Sequence, residues 1–147
     1  MPVTRVLVAD DDELFRAALV DVLGAHPRFE VVADVPSGEG IVEVVRDHAA
    51  DLVLVDVRMP GGGATAAEAL RAASESGGLG PVRVVALSAQ TSTATVVDLL
   101  RAGAVGYLVK GQRASDLPDL VLRCAQGQVV VTAPTGASAL RQLVQRS

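Results

Sequence analysis

Aromatic side chains are almost missing from this 147-residue chain, which has two phenylalanines, one tyrosine and no tryptophan. They are Phe15, Phe29 and Tyr107, so ring stacking cannot dominate the interior. Val, Leu, Ile and Ala must fill it instead, within an apolar share of 50%. Cysteine is limited to Cys124. That excludes an internal disulfide and a Cys-rich zinc cluster, and it points to a reducing, cytoplasmic setting. Excess positive charge is lacking too. Thirteen Lys and Arg against seventeen Asp and Glu leave a net charge of −4, which opposes the phosphate contacts that drive nucleic-acid binding. This segment is not expected to touch DNA directly. No stretch approaches the length of a membrane span, and no apolar leader core precedes the strand-like run Arg5-Val-Leu-Val-Ala9. Neither membrane insertion nor secretion is expected.

What is present is alternation. A chain of this length fits one ordinary domain, burying about 68–70% of its unfolded surface. Apolar runs of a few residues recur, each followed by a helical pattern, as in a parallel sheet with crossover helices. The runs predict five strands, at Arg5 to Ala9, Phe29 to Asp34, Leu52 to Asp56, Val82 to Leu87 and Val105 to Val109. The third and fourth are nearly all Val and Leu without polar alternation, as for strands covered on both faces. The expected fold is therefore α/β, a doubly wound five-stranded parallel sheet of the flavodoxin-like kind.

Helical stripes fall between these runs. Leu14, Ala18 and Val22 with Phe15, Leu19 and Leu23 predict the first helix. Ile41, Val44, Val45 and His48 predict the second, with Ser37 as its cap. Ala66, Ala69, Leu70 and Ala73 mark a third, and Val96, Leu99 and Leu100 a fourth that Gly103 stops. The fifth begins at Ser115, with Pro118 in its first turn and Leu117, Leu120, Val121 and Cys124 facing inward. Gly127 ends it. Val129 to Val131, Ala133-Pro-Thr135 and a short pattern of Leu140, Leu143 and Val144 then form a tail. The Gly61-Gly-Gly63 run lacks a following Lys-Ser/Thr, so it is no phosphate-binding loop but a flexible lead into the third helix.

In an open parallel sheet, ligands bind outside the carboxyl ends of the strands. Here Asp10, Asp11 and Asp12 follow the first strand, Asp56 ends the third, Ser88 follows the fourth and Lys110 the fifth. Carboxylates gathered from two strand ends repel one another unless a cation neutralises them. Oxygen-only ligands of this kind suit Mg²⁺, which uses one or two carboxylates together with water and phosphate oxygens.

These residues resemble the receiver domains of two-component response regulators, in particular those preceding a helix-turn-helix output domain. The similarity runs from about Thr4 to Gly127. It rests on Val8-Ala-Asp-Asp11, Leu52-Val-Leu-Val-Asp-Val-Arg-Met-Pro60, Val84-Val-Ala-Leu-Ser-Ala89 and Ala102-Gly-Ala-Val-Gly-Tyr-Leu-Val-Lys110. The resemblance implies that Asp56 accepts a phosphoryl group from a sensor kinase histidine. It implies that Mg²⁺ is held by Asp11, by Asp10 through water, by Asp56 and by the Arg58 backbone carbonyl. Ser88 and Lys110 would bind the phosphoryl group, Tyr107 with Ser88 would form the switch, and the small Ala89 would govern access. The chain would assist its own phosphorylation and dephosphorylation without being an enzyme that turns over a separate substrate. Tyr107 is expected to turn inward on phosphorylation and favour a homodimer or another partner, through the face of the fourth helix, fifth strand and fifth helix or through the first and fifth helices.

By the same resemblance, residues 1–127 form the receiver and 128–147 a connector or tail helix. Two departures accompany it. Asp12 makes three acids where the family needs two, and it is assigned to cap the first helix. Gly111 stands where many relatives carry a proline. Competing readings are a haloacid-dehalogenase-like phosphatase with Asp10 as nucleophile, a dinucleotide or flavin binder, and a constitutive interaction scaffold. The first leaves Asp56 without a role. The second needs a glycine-lined first turn where this chain has carboxylates.

Overall fold

The computed structural model describes residues 2–89, 92–110 and 114–132, together with Arg141 and Val144. Its elements alternate: β1 (Thr4–Ala9), α1 (Glu13–Gly24), β2 (Phe29–Val35), α2 (Ile41–His48), β3 (Leu52–Asp56), α3 (Gly63–Glu75), β4 (Arg83–Ser88), α4 (Thr93–Arg101) and β5 (Gly106–Val109). A 3₁₀ turn (Ala114–Asp116), α5 (Leu117–Ala125) and β6 (Val130–Val131) follow. The strands lie in the order β2-β1-β3-β4-β5-β6, and every pairing is parallel.

Side chains alternate across each strand, so one run of Val and Leu serves both faces. Val6 and Val8 pack with Leu19 and Leu23 of α1 and with Leu117, Val121 and Cys124 of α5. Leu7 and Ala9 turn to Ile41 and Val45 of α2 and to Ala66, Ala67 and Leu70 of α3. Ala86 and Tyr107 meet Val96, Val97 and Leu99 of α4. Each fully buried Val or Leu contributes about 1.5–3 kcal/mol, and the central β3 is buried along its whole length. Cys124 belongs to this interior, where burial pushes its thiol up to about 11.

The chain leaves β1 toward β2 on one side and returns through α2 to β3 on the other. Its direction of winding reverses between β1 and β3. That reversal opens a crevice at the carboxyl ends of these two strands.

The five predicted strands are present with bounds differing by a residue at several ends, and the tail adds β6 beside β5, pairing Gly106 with Val130 and Tyr107 with Val131. Other differences are local. The Phe15, Leu19, Leu23 line of α1 faces the sheet with Val20 beside it, while Leu14 is 85% exposed and Ala18 is exposed. The helix offers one narrow stripe to a flat sheet, and the neighbouring stripe turns outward. Gly40 in the left-handed region, not Ser37, is the N-cap of α2, and the Ser37 hydroxyl accepts instead from the Glu39 N–H at 3.3 Å. The glycine run is closely packed rather than loose. A β-carbon at Gly38 would overlap the Gly61 carbonyl, and one at Gly62 would fall on the Asp56 carbonyl and the Met59 side chain. Gly111, the Ala133 to Thr135 segment, Leu140 and Leu143 lie outside the described residues.

Candidate functional site

Sheet hydrogen bonds place the polar side chains at the crevice. The Asp10 N–H donates to the Val35 carbonyl at 3.0 Å, extending the β1–β2 ladder by one residue. Val57 donates to the Leu87 carbonyl at 2.9 Å just past Asp56, and the Lys110 N–H donates to the Ser88 carbonyl at 2.9 Å. Backbone ladders, more than loop conformation, therefore position Asp10, Asp56, Ser88 and Lys110. Asp12 caps α1, its carboxylate accepting from the Phe15 N–H at 3.1 Å. Of the three successive acids, Asp10 and Asp11 remain for the crevice. Oxygens of Asp10, Asp11 and Asp56 lie within 4.8 Å of one another.

The charges are unevenly paired. Asp10 is fully buried, with Oδ1 accepting from the Asp12 N–H at 2.8 Å and Oδ2 lying 2.6 Å from Lys110 Nζ. This second contact is an ion pair that leaves Oδ2 without a well-directed hydrogen bond. Lys110 stands farther from Asp56, at 3.5 Å, so the resting cation belongs first to Asp10. Burial raises the Asp56 carboxyl above its ordinary 3.8, the negative charge of Asp10 adds to the rise, and Lys110 and the Arg58 N–H oppose it. The Arg58 N–H reaches Asp56 Oδ1 at 3.4 Å.

Three carboxylates facing one ammonium leave a deficit of positive charge, and their oxygens converge as a hard divalent cation requires. The donor set therefore fits Mg²⁺ chemically. A cleft of about 450 Å³ lies at the opposite end of the sheet, lined in part by Asp51, Pro81, Val82 and Arg83. There Asp51 accepts from the Arg5 N–H and Arg83 donates to the Ala125 carbonyl, so these charged groups already have partners.

Ser88 is buried at the end of β4, Ala89 is exposed beside it, and Arg58 is exposed in the turn after β3. Tyr107 is fully buried against α4, its ring turned inward. The space comes from the small Ala86 and Ala104 among its neighbours. Two contributors were missed from sequence. Arg16 donates to the Asp10 carbonyl at 2.7 Å and to Asp34 at 3.0 Å, and the Phe15 ring lies under Lys110. Their place on the first helical turn after the acids was the only signal available.

A family model described as a response regulator receiver domain matches residues 6–122. The probable transcriptional regulatory protein NarL of Mycobacterium tuberculosis (strain ATCC 25618 / H37Rv) is 37% identical over 128 residues, covering 86% of this chain and 57% of that protein. The transcriptional regulatory protein DegU of Brevibacillus brevis is 36% identical over 123 residues, covering 84% of this chain and 50% of that protein. The chain thus spans about half the length of the curated relatives it matches. Among solved structures, the signal receiver domain of NarL from Mycobacterium tuberculosis superposes with a TM-score of 0.77 at 36% identity, over 87% of this chain and 100% of that one. The response regulator ChrA of a heme-sensing two-component system gives 0.71 at 32% identity, over 99% of this chain and 67% of that one. The family match begins inside β1 and ends inside α5, taking in every strand end that reaches the carboxylate rim, and the chain belongs to the response regulator receiver domain family.

Proposed function

We propose that Asp56 is the phosphoacceptor. A carboxylate oxygen of Asp56 attacks the phosphorus of a sensor kinase phosphohistidine, the P–N bond breaks, and the imidazole leaves and takes up a proton. Attack of water on the acyl phosphate returns Asp56 and inorganic phosphate. Asp10, Asp11, Asp56 and the Arg58 carbonyl would hold Mg²⁺, which when bound supplies positive charge against the phosphoryl oxygens. Lys110 supplies a further charge and Ser88 a hydroxyl donor, so the chain assists both steps by positioning and neutralisation. The observation that carries this reading is the convergence of Asp10, Asp11 and Asp56 within 4.8 Å, facing Lys110.

Asp10 is a poor nucleophile by comparison, being fully buried with Oδ1 accepting a backbone N–H and Oδ2 ion-paired, and that disfavours the phosphatase reading. We assign residues 1–127 to the receiver and 128–147 to a connector whose first residues are held on β5. By likeness to longer transcriptional regulators, we place the output and any DNA contact outside these residues, the cognate sensor kinase as partner, and the protein in the cytoplasm.

The switch we infer exchanges the inward Tyr107 with an outward position, Ser88 and the phosphoryl group favouring the former and a homodimer reading it out. The full burial of Tyr107 against α4 is also compatible with a second reading, a scaffold whose surface is already set. A beryllofluoride phosphoryl mimic separates them, because amide shifts confined to the pocket would support the scaffold.

The test of the acceptor is labelling with acetyl phosphate and Mg²⁺ followed by peptide mass spectrometry. One phosphoryl group on Asp56, lost in Asp56→Asn and with chelator, is expected. Labelling on Asp10, or labelling that persists in the variant, would overturn the assignment.

A further inference from the structure

We propose that Phe15 is a positioning residue for phosphoryl transfer, its ring face holding the Lys110 ammonium between Asp10 and Asp56. This rests on the reading of Asp56 as phosphoacceptor. Lys110 Nζ lies 4.6 Å from the Phe15 ring centroid, inside the range of a cation–π contact. The same nitrogen lies 2.6 Å from Asp10 Oδ2 and 3.5 Å from Asp56 Oδ2. The Lys110 side chain is only 13% exposed, so little water replaces a lost partner.

An ammonium has three donors on a flexible four-carbon stem, and that stem has no preferred direction of its own. Phe15 does have one. Its N–H is held by the Asp12 cap, and it heads the inward line of α1 that continues to Leu19 and Leu23. The rigid ring is thus carried by α1 while the mobile amine comes from the end of β5. Phosphorylation would require Lys110 to leave Asp10 for a phosphoryl oxygen. A ring face attracts the cation without fixing a hydrogen-bond direction, so the contact persists while the oxygen partner changes. An aliphatic side chain would fill the same volume with no such attraction.

A purely structural role for Phe15 is the competing explanation, since its ring also packs against the buried cluster of α1 and α5. Fluorination separates the two, because mono-, di- and trifluorophenylalanine at residue 15 weaken the ring quadrupole stepwise at nearly constant shape. We expect the rate of Asp56 labelling by acetyl phosphate to fall with each fluorine, to about fivefold below wild type. Phe15→Leu should fall at least as far and Phe15→Tyr should stay near wild type. In the metal-free protein, nuclear Overhauser contacts should link the Lys110 ε-methylene to the residue 15 ring and vanish in Phe15→Leu. A labelled wild type whose rate ignores fluorination, or whose Lys110 shows no contact with the ring, overturns this inference alone. A wild type that takes no label on Asp56 overturns the site reading and this inference together.

Discussion

Asp56 carries its charge where the surrounding structure disfavours one. Burial and the neighbouring Asp10 raise its carboxyl above 3.8, and Lys110 offsets this only in part because it sits closer to Asp10. The folded state then holds its proton more tightly than the unfolded chain. Between 3.8 and the raised folded value, stability falls as pH rises, and above that window the whole cost is present. In metal-free protein, Asp56→Asn should therefore raise the thermal midpoint at neutral pH by about 2–4 °C. The gain should shrink as pH is lowered through the window and vanish below it. Calorimetry across that range is the check, and an unchanged or lower midpoint at neutral pH would contradict the charge argument. Three adjacent acids illustrate how far residue identity reaches. Their type was legible, and so was the cap at Asp12, because capping is a local geometry. That Asp10 is fully buried while Asp11 is exposed depended on which neighbours close over β1.

Helix ends show the same division between local chemistry and neighbours. Several arginines close the carboxyl ends of helices on other elements: Arg5 donates to the His48 and Ala49 carbonyls, Arg71 to Arg101 and Arg83 to Ala125. Each supplies a donor and a positive charge where the helix dipole is negative. No spacing rule links Arg5 to His48, so these caps were not legible in sequence. The end of α2 also holds a strained point, since Ala49 adopts φ 51°, ψ 47° in the left-handed region. Ala49 is exposed, so losing its β-carbon gives up little packing. Ala49→Gly should stabilise the protein by about 1 kcal/mol. A higher urea midpoint at unchanged slope would show it, whereas an unchanged midpoint would mean that the added freedom of the unfolded chain cancels the relief of strain.

Across the whole molecule, a receiver domain of a two-component response regulator gathers acids at one end of the sheet and arginine caps at the other. The strand order puts Asp10, Asp11 and Asp56 beside the reversal point. β6 then ties the carboxy-terminal segment to β5, the strand that bears Tyr107 and ends just before Lys110. The Thr132 N–H donates to the Tyr107 carbonyl at 3.0 Å, and its hydroxyl accepts from the Val109 N–H at 3.2 Å. Thr132→Val removes that acceptor and leaves a part-buried N–H, so it should cost about 1 kcal/mol. Hydrogen exchange at the Val109 amide should quicken in the same variant. Unchanged stability and protection would show that β6 does not hold the end of β5.

The alternation of apolar runs with helical stripes, the strand ends to within a residue and the acids that follow them were determined by sequence alone. Each rests on a short-range rule: period two in a strand, 3.6 in a helix, a carboxylate before a first turn. That was enough for the α/β class and for bringing Asp10, Asp11, Asp56, Ser88 and Lys110 to one rim. Tertiary structure decided the rest. It set Lys110 closer to Asp10 than to Asp56, laid Phe15 beneath it, turned Leu14 outward and Tyr107 inward, pressed Gly38 against Gly61, and added β6 to the sheet. All of these are distances between elements remote in the chain, and such distances follow from strand order and packing, which no local pattern encodes.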